Sequence, residues 1–412
     1  MTEPAKTELS RTALIVVACG ALILMVAMGV RQTMGLLMPP MTLANDFSRE
    51  TFSFAIAIQN LMWGAAVPFT GAIADRFGSA RVLFVGATLY ALGLVLMAHS
   101  GTATTLNLSA GLMIGLAFSG TTFAVVMGVI ARAVPPEKRS LALGIAGAGG
   151  SFGQFAMVPI GQGMIVSLGW YQALFALAAV SALIVPIAWW MVKHYTPFQS
   201  SASRAADAST QTVRAALGEA LGERSFHFLF WSYFVCGVHT TFIGLHLPSY
   251  VIDKGFSITV GMTALALIGF GNIFGSYGAG WLGGVFSKKW LLTAIYALRA
   301  LIIFVFISLP ISPTSLYIFA FCMGFLWLST VPLTNALVAQ IYGLKHVSML
   351  SGTVFFGHQI GSFAGAWLGG RIFDTTQSYD WAWWISIALG LAAALVCMPI
   401  RETALDRKPA LA

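Results

Sequence analysis

Gly29-Val30-Arg31-Gln32-Thr33-Met34-Gly35-Leu36-Leu37-Met38-Pro39 has a later counterpart in Gly237-Val238-His239-Thr240-Thr241-Phe242 and Gly244-Leu245-His246-Leu247-Pro248. Phe47-Ser48 matches Phe256-Ser257 and Gly71 matches Gly280, both 209 residues on. Gly144, Gly149 and Gly153 match Gly352, Gly357 and Gly361 at an offset of 208. The chain is therefore two copies of one design, in the same order. The first copy carries an anomaly. From Thr12 to Val30 every residue is apolar or small, and then Arg31 places a full charge about 12 Å short of Pro39 at ~1.5 Å per residue. Burying a guanidinium in a spanning helix costs about 2.5–3.5 kcal/mol even on the lenient insertion scale. Something must offset that cost, and an anionic ligand is the first candidate.

Composition names the solvent. The chain is 58% hydrophobic and 9% charged, with a mean hydropathy of +0.83. Those values exclude a soluble globular domain and require lipid. Twelve long apolar runs can be read, from 12–39 through the fifth and sixth at 140–166 and 170–192 to the last at 382–399. Lipid permits only helices for runs of this kind. Of 22 Lys and Arg, 17 fall on the side of both termini, three (Arg49, Lys254, Arg371) on the other, and Arg31 and Arg299 within runs. This bias places the termini in the cytoplasm and makes the +8 net charge a topology signal that says nothing of nucleic acid. No cleavage pattern follows the first apolar run, so Thr12 onward reads as a retained span. Cys19, Cys236, Cys322 and Cys397 lie in apolar runs without metal-ligand spacing and read as small core residues. The expected fold is an all-α integral membrane protein with twelve transmembrane helices in two pseudo-symmetric six-helix bundles. Its bounds are 1–193 for the first bundle, 194–224 for a polar cytoplasmic linker, and 225–412 for the second bundle. Repeated halves of this type put a transported solute between them, near mid-membrane.

Gly71-Ala72-Ile73-Ala74-Asp75-Arg76-Phe77-Gly78-Ser79-Ala80-Arg81, between the second and third runs, resembles the G-x-x-x-D-R-x-G-x-R/K loop of the major facilitator superfamily. Pro135-Pro136-Glu137-Lys138-Arg139 resembles that superfamily's second basic loop, and run count, repeat and linker extend the resemblance over the whole chain. In the second half the first loop has decayed to Gly284, Val285 and Ser287. The resemblance implies secondary transport by alternating access, with Gly71, Asp75, Arg76, Gly78 and Arg81 as a cytoplasmic gate. An acid at a helix end can accept from backbone N–H groups or an Arg of the other bundle, a contact that must break when the cavity opens inward.

All 14 Asp and Glu lie outside the apolar runs or at their ends. Organic-cation carriers and carboxylate proton relays need embedded acids, so both are disfavoured. The interior instead holds Arg31, Arg299, His239, His246 and His358. Arg31 is on the first run, which the resemblance implies lines the cavity, and its planar fork suits a carboxylate. His239, at the repeat-equivalent place, is expected to face Arg31, as a substrate donor or proton acceptor; a neutral core histidine is the alternative. His358 and Gln359 are candidates for substrate binding, and His358 for proton coupling. Gln59, Asn60, Gln154, Asn272 and Asn335 are hydrogen-bonding candidates, each on its own better suited to holding helices together than to touching ligand. Arg299 is an uncertain buried charge on a peripheral run. Trp63 and Trp327 are candidate cavity walls.

Within the superfamily the first run is similar to the bacterial branch near the monocarboxylate and oxalate–formate carriers. The acid and Arg that the monocarboxylate carriers place on the eighth run are missing here, where Gly271, Asn272 and Ser276 stand, and the eleventh run offers only His358. The leading expectation is a proton-coupled symporter of a small organic anion, a monocarboxylate before a dianion. It would sit as a monomer in the bacterial inner membrane, without cofactor or metal and without enzymatic activity. An exporter of amphiphilic drugs or metabolites, and a transporter-like receptor, remain open.

Overall fold

The computed structural model describes residues 10–195, 212–343 and 346–405. The side chains of Asp75, Pro136, Glu137, Ser140 and Val213 lie outside that description, as does most of the 194–224 linker. Among the described residues every regular element is a helix, and there is no strand. In chain order the helices are α1 (Arg11–Gln32), α2 (Met34–Asn45), α3 (Arg49–Phe77), α4 (Ser79–Ala98), α5 (Ala103–Leu106), a π turn (Asn107–Met113), α6 (Ile114–Thr121), α7 (Phe123–Ala133), α8 (Pro136–Ala182) and α9 (Ile184–Lys193). They continue as α10 (Val213–Gly222), α11 (Arg224–Asp253), α12 (Ile258–Val285), α13 (Lys288–Ser308), α14 (Pro313–Leu326), α15 (Thr330–Tyr342), α16 (Val347–Thr376) and α17 (Asp380–Cys397).

Local chemistry sets the boundaries. Ser48 caps α3 by accepting from the Thr51 N–H at 3.0 Å, and Ser312 and Ser315 form a reciprocal capping box at the start of α14. Gly78 ends α3 with φ +93°, a value that disfavours any side chain. Ten helical stretches are long and apolar enough to cross a membrane. The difference from twelve has two sources. The runs at 140–166 and 170–192 lie in one 53-residue stretch, Leu141–Lys193, which leaves helical geometry at Gly169 with φ +80°. At ~1.5 Å per residue that stretch exceeds a bilayer by more than twofold. Helix α16 has the length, 30 residues, but its glycines, His358, Gln359 and Arg371 dilute its apolar character.

Packing follows the repeat. Helix α8 lies along α1 and α16 along α11, while α3 packs on α16 and α12 on α8. Under the sequence offset each pairing is the counterpart of its partner. Buried apolar side chains form one cluster mainly over α1–α9 and two mainly over α11–α17. The close approaches rest on glycine: a Cβ on Gly153 would strike the Met25 carbonyl, and one on Gly361 the Phe234 carbonyl. Small residues let membrane helices meet backbone to backbone. Gly361→Ala is therefore expected to cost about 1–3 kcal/mol through overpacking, read as a lowered unfolding midpoint of the detergent-solubilised protein. Gly352→Ala, which meets open space, is the control, and equal midpoints for the two variants would contradict this packing.

The two faces of the molecule differ. On the face where α11 begins and α15 ends, called here the linker face, a Cβ on Gly71, Gly144 or Gly352 would have no neighbour within 4 Å. Phe69, Phe77, Tyr277, Trp281 and Val285 are exposed on the same ends of α3 and α12. On the opposite face α3, α11 and α16 are tied together by charged groups.

Candidate functional site

Arg31 sits in the last turn of α1, just before the chain breaks at Thr33 and restarts as α2. Its Nη2 donates to Asn60 Oδ1 at 2.8 Å. Asn60 spends its own amide hydrogens on the Ile56 carbonyl at 2.8 Å, which fixes the oxygen toward the guanidinium. The Arg31 guanidinium lies 5.3 Å from the centre of the Trp63 ring. Among the described residues no carboxylate pairs with it, and its Nε has no partner.

From Trp63 the site continues onto α16. The Trp63 ring is 5.3 Å from Phe355, and Phe355 lies nearly parallel to the His358 ring at 5.7 Å. Gln359 packs its aliphatic stem on Gly64 of α3. The buried indole nitrogen of Trp63 and the amide nitrogen of Gln359 have no hydrogen-bond partner. Helices α1, α3 and α16 thus hold together one cation and three unspent donors, Arg31 Nε, Trp63 Nε1 and Gln359 Nε2. Buried donors without partners are costly, and an acceptor-rich ligand is what satisfies them.

The other candidates are placed elsewhere. His239 is fully buried, and its Nε2 is 2.8 Å from the Ser386 carbonyl of α17, inside its own half. The repeat explains this. Gly29 and Gly237 are 208 apart but Gly35 and Gly244 are 209 apart, and one residue of slip turns a helix by about 100°. Gln59 donates to the Ala110 carbonyl of the π turn at 2.7 Å and so joins α3 to its neighbour. Asn335 is exposed on α15, past a break in the chain at residues 327–329. Arg299 is fully buried and donates to the Leu326 and Trp327 carbonyls at that break. These carbonyls have lost their helical partners, and a cation at a helix C-terminus satisfies them.

Two arrangements go beyond those single-residue expectations. The first is a polar ladder across the halves. Gln154 Nε2 donates to Gln32 Oε1 at 3.5 Å, Asn272 Nδ2 donates to Gln154 Oε1 at 3.2 Å, and Asn272 Oδ1 accepts from the Leu328 N–H at 3.1 Å. The second is a latch on the face opposite the linker. Arg49 pairs with both oxygens of Asp253, at 2.6 and 2.7 Å, and covers the Phe373 ring at 3.7 Å. Asp374 accepts from the N–H groups of Arg49 and Glu50 at the N-terminus of α3, at 3.3 and 2.7 Å. Glu50 in turn accepts from Trp367 at 3.1 Å and Arg371 at 3.0 Å. Tyr379 accepts from Arg49 at 3.0 Å and meets His246 Nδ1 at 3.1 Å; burial pushes its phenol up, so it keeps its proton. The sequence signal was that the few Lys and Arg of that face stand near acids, Arg49 next to Glu50, Lys254 next to Asp253 and Arg371 three residues before Asp374.

The expected gate is different. Arg76 and Arg81 are exposed, Arg76 lying over its neighbour Phe77 at 5.2 Å. The Asp75 side chain lies outside the described residues. Gly71 and Gly78 have no neighbour within 4 Å of a would-be Cβ. Among the described residues, the charged ties between α3 and the second half are on the Arg49 face.

A long apolar helical chain with repeat-related packing and a polar site between α1, α3 and α16 is that of a multi-pass membrane transporter. The sequence profile of the Major Facilitator Superfamily matches residues 20–335 and 270–412, and the chain belongs to that superfamily. It is 25% identical over 379 residues to the uncharacterised transporter YcxA of Bacillus subtilis, covering 90% of this chain and 91% of that one. It is 24% identical to monocarboxylate transporter 11 of Mus musculus, covering 90% and 83%, and 23% identical to monocarboxylate transporter 13 of Rattus norvegicus, covering 84% and 78%. Its fold matches the crystal structure of a D-xylose-proton symporter with a TM-score of 0.72, 15% identity, and 95% and 97% coverage. The superfamily and these relatives are transporters, so the chain is a transporter and not an enzyme.

Proposed function

We propose that this transporter carries a small organic monoanion, a monocarboxylate, together with a proton, by alternating access. The observation that carries the reading is the set of unspent donors around Arg31: Arg31 Nε, Trp63 Nε1 and Gln359 Nε2. A carboxylate has acceptor oxygens and no donors, so it complements that set, and its charge offsets an Arg31 that no acid accompanies. The relatives named monocarboxylate transporters support the same class. His358, bordering the site through Phe355, is the imidazole this reading assigns to proton coupling.

In this reading twelve spans form two six-helix bundles, 1–193 and 225–412, around the site, with 194–224 joining them. The linker face is cytoplasmic in a bacterial inner membrane, and the lysine and arginine bias supports that orientation. The described state, latched on the Arg49 face and parted on the linker face, is then the inward-open one, and the protein works as a monomer.

The test is uptake of labelled monocarboxylates such as lactate and benzoate into proteoliposomes, with and without an inside-alkaline pH gradient. Saturable uptake is expected, accelerated by the gradient and competed by other monocarboxylates but not by neutral sugars or organic cations. Transport of neutral or cationic solutes with no carboxylate flux would refute the reading.

A further inference from the structure

Behind the site lies a cluster of titratable groups that shares only His358 with it. Cys236 of α11 is fully buried. Its sulfur lies 3.2 Å from Thr330 Oγ1 and 3.9 Å from the Trp327 carbonyl, at the break between α14 and α15. His358 of α16 lies beside this turn of α11, its carbonyl against Gly237 and its ring 4.9 Å from that of Tyr233, while His358 Nδ1 is turned to Ser362 and Gln359 at 3.4 Å each. The other ring nitrogen is not used by these bonds. The remaining titratable and charged groups around Cys236 are Arg299 and Tyr296 of α13, Tyr233 of its own helix, and, beyond Tyr296, Cys397 of α17. Among the described residues no carboxylate joins them.

Arg299 is the anomaly of this cluster. Its Nη2 is used on the two carbonyls of the break, but Nε and Nη1 have no partner although the residue is fully buried. A buried cation without a counter-ion is strongly unfavourable. In a chain without embedded Asp or Glu, the acidic proton that faces it is that of a thiol. Thiolates in proteins occur where a guanidinium and an imidazole flank the sulfur.

We propose that the Cys236–His358 pair, held against Arg299, is the proton-binding site of the transport cycle. This rests on the proton-coupled reading above and gives it a location. In the loaded state Cys236 carries S–H and His358 is neutral. On release the S–H bond breaks, the electron pair stays on sulfur, and the proton forms an N–H bond with the free ring nitrogen of His358. The imidazolium then passes its proton to water. Cys236 is 0% exposed and His358 7% exposed, so exchange with water runs through the histidine. Loss of the proton takes the three-residue cluster from a charge of +1 to zero. The unloaded site is therefore a paired guanidinium and thiolate that lipid tolerates.

The test uses the full chain, purified and reconstituted, as wild type, Cys236→Ser and Cys236→Ala. Two transport modes are compared: exchange of labelled for unlabelled lactate without a pH gradient, which needs no net proton movement, and gradient-driven uptake. Both variants are expected to retain exchange, which also shows that they are folded, and to lose stimulation by the gradient. In parallel, ultraviolet thiolate absorbance is titrated in wild type, and a component absent from Cys236→Ser is expected. Gradient stimulation surviving in both variants, or no thiolate component dependent on Cys236, would overturn the proposal. A wild type that exchanges lactate but ignores the gradient would instead defeat the proton-coupled reading itself, and the site with it. If one variant fails to fold, the other and the wild-type titration decide.

Discussion

Replacing Arg31 by Gln is expected to lower carboxylate uptake by about 100-fold, the loss of one charge-assisted interaction of roughly 2–3 kcal/mol. The fold should survive. Among the described residues Arg31 makes a single hydrogen bond, to Asn60 Oδ1, and a glutamine amide can supply that donor. Removing an unpaired charge from a spanning helix also relieves an insertion cost, so the unfolding midpoint of Arg31→Gln should equal or exceed that of wild type. Arg31→Lys should recover only part of the activity. An ammonium keeps the charge but not the planar fork or the contact with Trp63. The measurement is initial-rate uptake of labelled lactate in proteoliposomes, with protein in the bilayer quantified for each variant. Undiminished uptake by Arg31→Gln would refute the anion site. A lowered midpoint would instead assign Arg31 a structural role.

The sequence was informative where a residue type was out of place and uninformative where direction mattered. Arg31 was legible because a guanidinium in an apolar run is rare and costly, and Arg299 was flagged by the same argument. What Arg299 touches was not legible, because the chain break at residues 327–329 falls among ordinary apolar and small residues without a proline at the break itself. His239 shows the limit of repeat arithmetic: the alignment locates the helix, but a one-residue slip decides whether a side chain points at the other half or, as here, at Ser386. Cys236 read as a small core residue because nothing in sequence brings His358 or Thr330 near it. The repeat itself carried furthest. Gly149 and Gly153, matched at an offset of 208 by Gly357 and Gly361, are positions where α8 meets α1 and α16 meets α11, since backbone contact demands the same residue in each copy.

The latch on the Arg49 face yields the second large effect, on conformation. If the described state is the inward-open one, Arg49→Ala combined with Asp374→Ala should shift the population toward opening at that face. The bidentate Arg49–Asp253 pair is partly exposed, at 21% and 28% of the side chains, so solvent screening limits it to about 1 kcal/mol. The cation over Phe373 adds roughly 0.5–1 kcal/mol, and the Asp374 carboxylate on the α3 N-terminus adds about 1 kcal/mol. A total near 2–3 kcal/mol moves a two-state equilibrium by about 30- to 150-fold. Spin labels at Leu43 and Lys254, both exposed on that face, report it as a distance distribution. Wild type should give one short population, and the double variant a second, longer one. Either single substitution alone should give an intermediate mixture, because Arg49 and Asp374 hold α3 through separate bonds, one by its guanidinium and one at the backbone. An unchanged distribution in the double variant would mean that the apolar packing of α3 on α16 closes this face and the charges merely decorate it. The linker face offers the matching control. There Arg76 and Arg81 are exposed, and substituting both by Gln should leave the Leu43–Lys254 distance unchanged.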